Sequence, residues 1–290
     1  MEPLVFLNGS VLTKSKAKIS PFDLGFLYGY SVFETMRSYS GRIFRLEQHL
    51  RRLENAARTL HIPLGDHELK RACYEVLEAN KLTNARIRLS LSAGEAEGIP
   101  DQPNQVTPTV FISVNQFTPV DDALYSRGCK AMVSSYRQNS RSPLSTMKTA
   151  NYLNSWLARQ EARSSGASEA LLLNEKGFIS EGSMTNIFLL SNGALLTPDI
   201  GSGCLPGITR GAVIELASAI GITAIEREIV IDELFQAEEA FLTNSILEIL
   251  PLSEVDGICI GSKKKQISEI TDQLSQAYKS LVKKETSAEF

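Results

Sequence analysis

The sequence has few cysteines, and no two of them lie at a spacing that binds metal. Its 290 residues contain four cysteines and no CxxC motif, so neither a zinc site nor a disulfide framework is expected. We predict that all four are buried, inert thiols and that the protein works in a reducing, cytoplasmic compartment. They are Cys73, Cys129, Cys204 and Cys259.

Histidine is equally scarce, and the three histidines do not cluster with cysteines or acidic residues. His49, His61 and His67 therefore do not provide the closely spaced nitrogen and sulfur ligands that a zinc site requires. We predict no metal site and a structural or surface role for each histidine.

Long hydrophobic runs and a strong net charge are also missing. No apolar run approaches the ~20 residues of a membrane span, and the first residues lack a basic region followed by an apolar core, so we expect no signal peptide. The net charge of −3 gives no field that would attract nucleic acid or an anionic membrane. With 43% hydrophobic and 22% charged residues, the composition is that of an ordinary soluble globular protein, and the length is compatible with two domains or one large one.

The first part of the chain alternates strand and helix signals. Hairpins are predicted around Asn8-Gly9 and around Ser40-Gly41. A helix follows whose apolar residues fall on one stripe, a second helix is predicted over 67–79, and two strands surround the proline-rich loop 95–108. The stripe consists of Leu46, Leu50, Leu53, Ala57 and Leu60.

Beyond a predicted domain boundary at 118/119, the same mixture of signals continues. A strand over 129–136 precedes a helix predicted over 149–163. Further on, Thr209 is predicted to cap a helix that stops at Gly221. Other predicted elements are hairpins with turns at Lys176-Gly177 and Asn192-Gly193, strands at 238–245 and near Ile249, a final helix over 267–283, and a frayed tail over 283–290. This mixture predicts an α+β fold in two halves rather than a doubly wound parallel sheet.

Four segments could carry chemistry, and each has an ordinary alternative. The helix that follows "LPGITRG" presents free N–H groups to an anion, but a plain helix cap looks the same. Glu181 in "ISEGSMTNIF" could face a pocket or close a turn between two strands, and the polar end of "FLTNSILEIL" could line a pocket or a loop. Lys148 lies between a polar loop and a predicted helix, where surface lysines are common.

Taken together and in order, these pieces resemble the fold-type IV pyridoxal-phosphate enzymes: branched-chain aminotransferases, D-amino-acid aminotransferases and 4-amino-4-deoxychorismate lyases. The similar segments are "SPFDLGFLYGYSVFETMRSYSG", "HLRRL", "MKTANYLNSWLA", "EGSMTNIFLL", "LPGITRG" and "AFLTNSILEILP". The resemblance covers nearly the whole chain. It implies two α+β domains, 1–118 and 119–290, with the cofactor lysine in the second. It also implies pyridoxal 5'-phosphate as the cofactor, and a homodimer with the cofactor between the domains and near the subunit boundary.

The resemblance also implies roles for individual residues. Lys148 would form a Schiff base with the cofactor aldehyde and move the substrate proton, which requires an accessible neutral amine. Glu181 would keep the pyridine nitrogen protonated, so that the ring draws electrons from the reacting carbon. The implied phosphate ligands are Arg52, Ile208, Thr209 and Ser245, and Tyr152 would bond the phenolic oxygen. Arg51 is interpreted as a solvated charge, and Asn186 as a residue that fixes a strand turn.

Within this family, three segments favour the lyase. "SPFDLGFLYGYSVFET", "NARIRLSLSAG" and "FLTNSILEILP" look like aminodeoxychorismate lyases, which release pyruvate and 4-aminobenzoate for folate biosynthesis. The substrate is a dicarboxylate, so Arg88 and Arg137 are the candidate carboxylate ligands, with Tyr28 and Thr35 as wall or proton-donor groups. The alternatives are an aminotransferase of the same fold and a binding protein that has lost catalysis.

Overall fold

The structure is a computed structural model that describes residues 2–65, 67–96, 107–261 and 269–287. The chain forms two units. The first consists of Met1–Thr118, Met147–Asn151 and Val282–Phe290, and the second of Pro119–Thr146 and Tyr152–Leu281. The predicted domain 119–290 differs from this grouping at two segments. One of them joins the first unit because Thr149 forms a β-bridge with Val32.

The described part of the first unit contains a six-stranded antiparallel sheet in the order β2-β1-β6-β5-β3-β4. Its strands are β1 (Leu4–Leu7), β2 (Ser10–Thr13), β3 (Ser31–Tyr39), β4 (Arg42–Ile43), β5 (Ala85–Ser92) and β6 (Thr109–Gln116). Both predicted hairpins are confirmed, because β1 pairs with β2 and β3 with β4. Their turns place Asn8 and Ser40 at φ of 47° and 49°, the conformation that tight hairpin turns require.

The described part of the first unit also contains the helices α1 (Leu24–Tyr28), α2 (Leu46–Thr59) and α3 (Leu69–Ala79). Of these, α2 and α3 pack against the sheet. Leu46, Leu50, Leu53 and Ala57 of α2 are buried in the core, as the stripe predicted, whereas Leu60 lies just past the helix. Val32 and Met36 of β3 pack into the same core, so every second side chain of β3 points toward the helices. This alternation places Glu34 on the helix side of the sheet.

The described part of the second unit contains a nine-stranded mixed sheet. Eight strands run in the order β12-β11-β10-β13-β14-β7-β8-β9, and β15 pairs with β14. The strands are β7 (Cys129–Gln138), β8 (Glu169–Asn174), β9 (Ile179–Gly182), β10 (Asn186–Ser191), β11 (Ala194–Thr197), β12 (Ala224–Glu226), β13 (Glu239–Asn244), β14 (Glu248–Val255) and β15 (Ile258–Cys259). The pairs β7–β8, β14–β7 and β11–β12 are parallel and the others are antiparallel.

The remaining helices are α4 (Asp122–Arg127), α5 (Leu153–Ser164), α6 (Ile208–Ala219), α7 (Ile231–Gln236) and α8 (Glu269–Ser287). The helix predicted from residue 149 begins instead at Leu153, because backbone hydrogen bonds hold the preceding residues extended beside β3. The frayed tail predicted over 283–290 is wrong for residues 283–287, since α8 continues to Ser287, and its last three residues lie outside the described residues. None of the helices in the described residues is long and apolar enough to cross a membrane.

Burial of the cysteines agrees with the sequence prediction at three of the four positions. Cys73, Cys129 and Cys204 are buried, and burial raises the pKa of each thiol to about 12. The prediction is wrong for Cys259, which is exposed on the short strand β15. Most of the loop predicted at 95–108 and the predicted start of the last helix at residue 267 lie outside the described residues.

Candidate active site

Lys148 lies in an extended segment that runs beside β3. The N–H of Phe33 donates to the carbonyl of Lys148 at 2.9 Å, and the N–H of Ala150 donates to the carbonyl of Ser31 at 2.9 Å. These bonds fix the backbone on both sides of the lysine. The half-buried Lys148 side chain places Nζ 4.8 Å from the centroid of the Phe33 ring, within range of a cation–π contact. The amine therefore has a defined position in the first unit.

A buried ionic cluster lies on the helix side of the same strand. Nε and Nη2 of Arg52 donate to the two carboxylate oxygens of Glu34, each at 2.7 Å. Nδ1 of His49 is 2.7 Å from Oε2 of the same carboxylate. The side chains of Glu34 and His49 are 0% and 1% exposed, and that of Arg52 is 12% exposed. Of these three residues, only Arg52 is a predicted site residue, and the neighbouring Arg51 is exposed as predicted.

The charges within this cluster are set by burial and by the neighbouring groups. Burial opposes ionisation of Glu34, but the charge of Arg52 and the bonds from His49 and Arg52 outweigh it and lower the pKa of Glu34 to about 2. Burial also lowers the pKa of His49, and the positive charges of Arg52 and Lys148 act in the same direction. An ionised carboxylate can only accept hydrogen bonds. Nδ1 of a neutral His49 must therefore carry the proton that it donates to Glu34.

The opposite face of the sheet carries Thr35 and Arg88. These two residues are directly paired in the register of β3 and β5, and Thr35 lies on the same face as Phe33. The Arg88 guanidinium carbon is 3.9 Å from the centroid of the Phe33 ring. Phe33 is thus contacted by two of the predicted site cations, Arg88 and Lys148, although it is not itself among the residues predicted from the sequence. Tyr28, at the end of α1, is 54% exposed.

In the second unit, Glu181 lies within β9 and not in a turn between strands, so that alternative is wrong. It pairs with Leu172 of β8. Its Oε2 accepts a hydrogen bond from the N–H of Leu205 at 2.9 Å. This bond joins the carboxylate to the loop that leads into α6, which contains the predicted anion site.

No side chain among the described residues caps the N-terminus of α6. Gly207 occupies the N-cap position, and Thr209 is buried as the second residue of the helix, so the predicted cap at Thr209 is wrong. Nδ2 of Asn186 donates to the carbonyl of Leu205 at 2.8 Å, which fixes this loop against β10. A Cβ atom at Gly207 would lie 2.0 Å from Oδ1 of Asn186. Glycine is therefore required for the close approach that leaves the helix terminus open.

The end of β13 lies next to Asn186. Thr243 pairs with Asn186 in the register, is 0% exposed, and has no hydrogen-bond partner for its Oγ1 among the described residues. Ser245 follows in the turn after the strand and is half-buried. A buried hydroxyl without a partner is costly. This edge of the sheet therefore has one buried donor, the Thr243 hydroxyl, whose hydrogen bond is not made within the described residues.

The last two predicted residues form local bonds in the second unit. The Tyr152 hydroxyl donates to the carbonyl of Ser183 at 3.2 Å, so its role as a satisfied structural tyrosine stays open. Nη1 of the exposed Arg137 donates to the carbonyl of Ser134, three residues earlier, at 2.7 Å. This bond favours a local role for Arg137 over a role as a carboxylate ligand.

The sequence carried a signal for the missed cluster. Glu34 occupies an inward position of the alternating strand "SVFETM", where an acid must find a partner if it is buried. His49 and Arg52 are three residues apart, a spacing that places both on one side of a helix. Which strand faces that helix, however, depends on the tertiary fold.

Comparison with known proteins gives consistent matches. The family model described as amino-transferase class IV matches residues 31–255. A putative branched-chain-amino-acid aminotransferase from Methanocaldococcus jannaschii is 38% identical over 280 residues, which cover 96% of this chain and 96% of that protein. The aminodeoxychorismate lyase of Bacillus subtilis is 35% identical over 284 residues, which cover 97% and 95%.

Solved structures also match this chain over nearly its whole length. The branched-chain amino acid aminotransferase of Escherichia coli has a TM-score of 0.91 and 32% identity, with 99% of this chain and 96% of that chain covered. A branched-chain amino acid aminotransferase of T.th., solved with pyridoxamine 5'-phosphate, has a TM-score of 0.90 and 30% identity, with 98% and 95% covered.

Proposed function

The chain belongs to the class IV aminotransferase family, and we propose that it transfers amino groups between amino acids and keto acids, with branched-chain amino acids as the substrate class. The observation that carries this proposal is the match over nearly the whole chain to branched-chain aminotransferases, in sequence and in backbone structure. Aminodeoxychorismate lyase is the second candidate.

Family membership confirms three predictions from the sequence. The resemblance to fold-type IV enzymes is confirmed, as is the α+β fold class. Pyridoxal phosphate is the cofactor of this family, and a structural neighbour was solved with its amino form. The roles of the individual residues are part of the proposal.

The residues present fit this cofactor by the chemistry of their groups. The first unit provides an amine at Lys148, suited to an aldehyde, and an oriented guanidinium at Arg52. The second provides a carboxylate at Glu181, suited to a pyridine nitrogen. It also provides two features suited to a phosphate. They are the N-terminus of α6 and the hydroxyl of Thr243, neither of which has a side-chain hydrogen-bond partner among the described residues. Each part of the cofactor therefore has a complementary group in the described residues.

When bound, pyridoxal phosphate supplies an electron sink for the carbon that bears the amino group. In our proposal, Nζ of Lys148 takes the proton from that carbon and returns it later in the reaction. The backbone bonds to β3 hold the main chain of Lys148 in a fixed position, since they lie on both sides of it. The carboxylate of Glu181 holds a proton at the ring nitrogen, and its bond from the Leu205 N–H keeps one oxygen oriented.

Binding and orientation are assigned to the remaining predicted residues. Arg52, Ile208, Thr209 and Ser245 are proposed to bind the phosphate, and Tyr152 the phenolic oxygen. Arg88 is the proposed ligand for a substrate carboxylate, with Thr35 beside it in the register and Tyr28 as a wall group. Arg137 is not assigned a role, because its guanidinium bonds the local backbone.

A specific observation favours the second candidate. The Bacillus subtilis lyase is similar over the whole chain, and the segments "SPFDLGFLYGYSVFET" and "NARIRLSLSAG" resemble the lyases. In that reaction Lys148 would remove the ring proton at the carbon that bears the amine, and pyruvate would leave as the ring becomes aromatic. Both reactions use the same cofactor residues, so only the products separate them.

A homodimer is also part of the proposal. The segment from Ile19 to Tyr28 exposes five large apolar or aromatic side chains, and Phe26 is 75% exposed. Exposed apolar patches of this kind mark interaction surfaces. A second copy of the chain is the proposed partner because the resemblance implies a homodimer.

The deciding experiment compares the two reactions in one preparation. The purified protein is supplied with pyridoxal phosphate and assayed for amino transfer from L-leucine, or from D-amino acids, to 2-oxoglutarate, and for pyruvate release from aminodeoxychorismate. We expect transfer from L-leucine to be the more efficient reaction. Pyruvate release without amino transfer would replace the first proposal by the second.

The cofactor role of Lys148 is tested in the same preparation. Borohydride reduction should fix the cofactor on the peptide that contains Lys148, as detected by mass spectrometry. The Lys148→Ala variant should lose both the label and the activity. Lys176→Ala, which removes an exposed lysine paired with Glu228, is the matched control and should keep both.

A further inference from the structure

Glu34 controls the direction in which the Arg52 guanidinium points. The carboxylate accepts from Nε and Nη2 at 2.7 Å each, and two parallel bonds fix a planar guanidinium in orientation as well as in place. A single bond would leave the group free to rotate about it. The plane and the position of the Arg52 guanidinium are therefore set by Glu34.

Glu34 is itself held in place. Its side chain is 0% exposed and its second oxygen is bonded to Nδ1 of His49. On the same face of β3, its neighbours Val32 and Met36 are buried in the core, so the carboxylate cannot turn toward water. His49 therefore holds the Glu34 carboxylate in place, and the carboxylate in turn orients the Arg52 guanidinium.

The negative charge of Glu34 is unfavourable for binding an anion such as phosphate. A negative carboxylate next to the arginine weakens the attraction of that arginine for a phosphate group. A site that relied on charge alone would therefore be better without it. The bidentate geometry offers a compensating gain, because an arginine oriented in advance loses less entropy when it binds an anion.

We propose that Glu34 is a positioning residue for the phosphate group of the cofactor, that it acts through Arg52, and that His49 locks it in place. This inference rests on the proposed role of Arg52 as a phosphate ligand. If it is correct, the cluster should strengthen the binding of ligands that carry a phosphate and leave the affinity for ligands without one unchanged.

The test measures binding to the full-length protein freed of cofactor. Dissociation constants for pyridoxal phosphate and for pyridoxal, which lacks the phosphate, are determined by equilibrium dialysis. We expect Glu34→Gln to weaken pyridoxal phosphate about tenfold, an effect typical of coupled neighbours, and to leave pyridoxal unchanged. Arg51→Ala, at the exposed neighbouring arginine, is the matched control and should change neither constant.

Coupling through Arg52 is tested with a double variant. Arg52→Lys keeps the charge but loses the bidentate geometry, so it should also weaken pyridoxal phosphate. Adding Glu34→Gln to Arg52→Lys should then cause little further loss, because the group that Glu34 orients is already missing. Fully additive losses would overturn the proposal.

A second pair of variants covers the case in which Glu34→Gln does not fold. His49→Asn keeps a donor near the position of Nδ1, whereas His49→Leu removes it. We expect His49→Asn to retain most of the preference for the phosphorylated ligand and His49→Leu to lose part of it. Equal behaviour of the two variants would contradict the role of His49.

Three further outcomes would overturn the proposal. Tighter binding of pyridoxal phosphate to Glu34→Gln would show that charge outweighs orientation, and an equal loss for both ligands would show a general structural role. A wild-type protein that binds both ligands equally would refute the role of Arg52 as well. A wild-type protein that prefers pyridoxal phosphate but transfers no amino groups would refute the proposed reaction and leave this inference standing.

Discussion

At the scale of single residues, the buried carboxylate of Glu34 links stability to pH. Its pKa falls from 4.5 to about 2 on folding, so between these values the unfolded chain binds more protons than the folded one. The stabilisation is therefore complete above the higher value and lost as the pH falls toward the lower one. The lowered pKa of His49 acts in the same direction, since the unfolded histidine takes up a proton below 6.5 while the folded one resists it.

We predict that Glu34→Gln lowers the free energy of unfolding at neutral pH, and that the difference from the wild type shrinks as the pH approaches the pKa of Glu34. Urea unfolding at a series of pH values measures this. Glu47→Gln, which removes an exposed acid of α2 paired with Lys70, should give a much smaller difference at neutral pH. A Glu34→Gln difference that does not depend on pH would contradict the ionised state of the carboxylate.

Glu181 gives a second prediction for a single residue. Glutamine at this position keeps the shape and the ability to accept from the Leu205 N–H, but it cannot hold a proton at a pyridine nitrogen. We expect Glu181→Gln to bind pyridoxal phosphate nearly as well as the wild type and to react about 10²-fold more slowly, the scale of losing one oriented electrostatic group. Cofactor absorbance and single-turnover rates separate the two effects, and an unchanged rate would remove Glu181 from the chemistry.

At the scale of elements, sequence signals succeeded where the cause was local. Asn-Gly turns predict hairpins because these residues tolerate positive φ, and the stripe of α2 predicts which face is buried. The predicted start of α5 at residue 149 was wrong because the residues before Leu153 form hydrogen bonds with the backbone of β3. That strand lies more than a hundred residues earlier in the chain. The contact between Glu34 and His49 was missed for the same reason, since it depends on the packing of α2 against β3.

The glycine at the start of α6 gives a prediction about stability and cofactor binding. A Cβ at Gly207 would clash with the Asn186 side chain, whereas one at Gly211 meets no atom within 4 Å. We expect Gly207→Ala to destabilise the protein by about 1–3 kcal/mol, the range of overpacking, and to weaken pyridoxal phosphate binding. Gly211→Ala, the control within the same helix, should stabilise it by about 0.5–1 kcal/mol because alanine favours helices. Thermal unfolding with and without cofactor measures both, and equal effects would contradict the role of the helix start.

At the scale of the whole molecule, the exposed apolar segment from Ile19 to Tyr28 predicts self-association. We expect the protein to sediment as a dimer and Phe26→Asp to shift it toward the monomer, because a buried charge without a partner opposes the contact. Ile258→Asp, at an apolar residue of β15 that is 49% exposed, is the matched control and should leave the dimer intact. A wild-type monomer in sedimentation velocity would refute the proposed partner.

The cluster of Glu34, His49 and Arg52 also bears on how this fold can be recombined. Its carboxylate comes from one strand, and both of its partners come from the helix that follows. A chimera that exchanges only β3 or only α2 with a relative would leave a buried charged group without its ionic partner. Residues 31–52 should therefore be transplanted as one block, and natural variation at these three positions should be concerted.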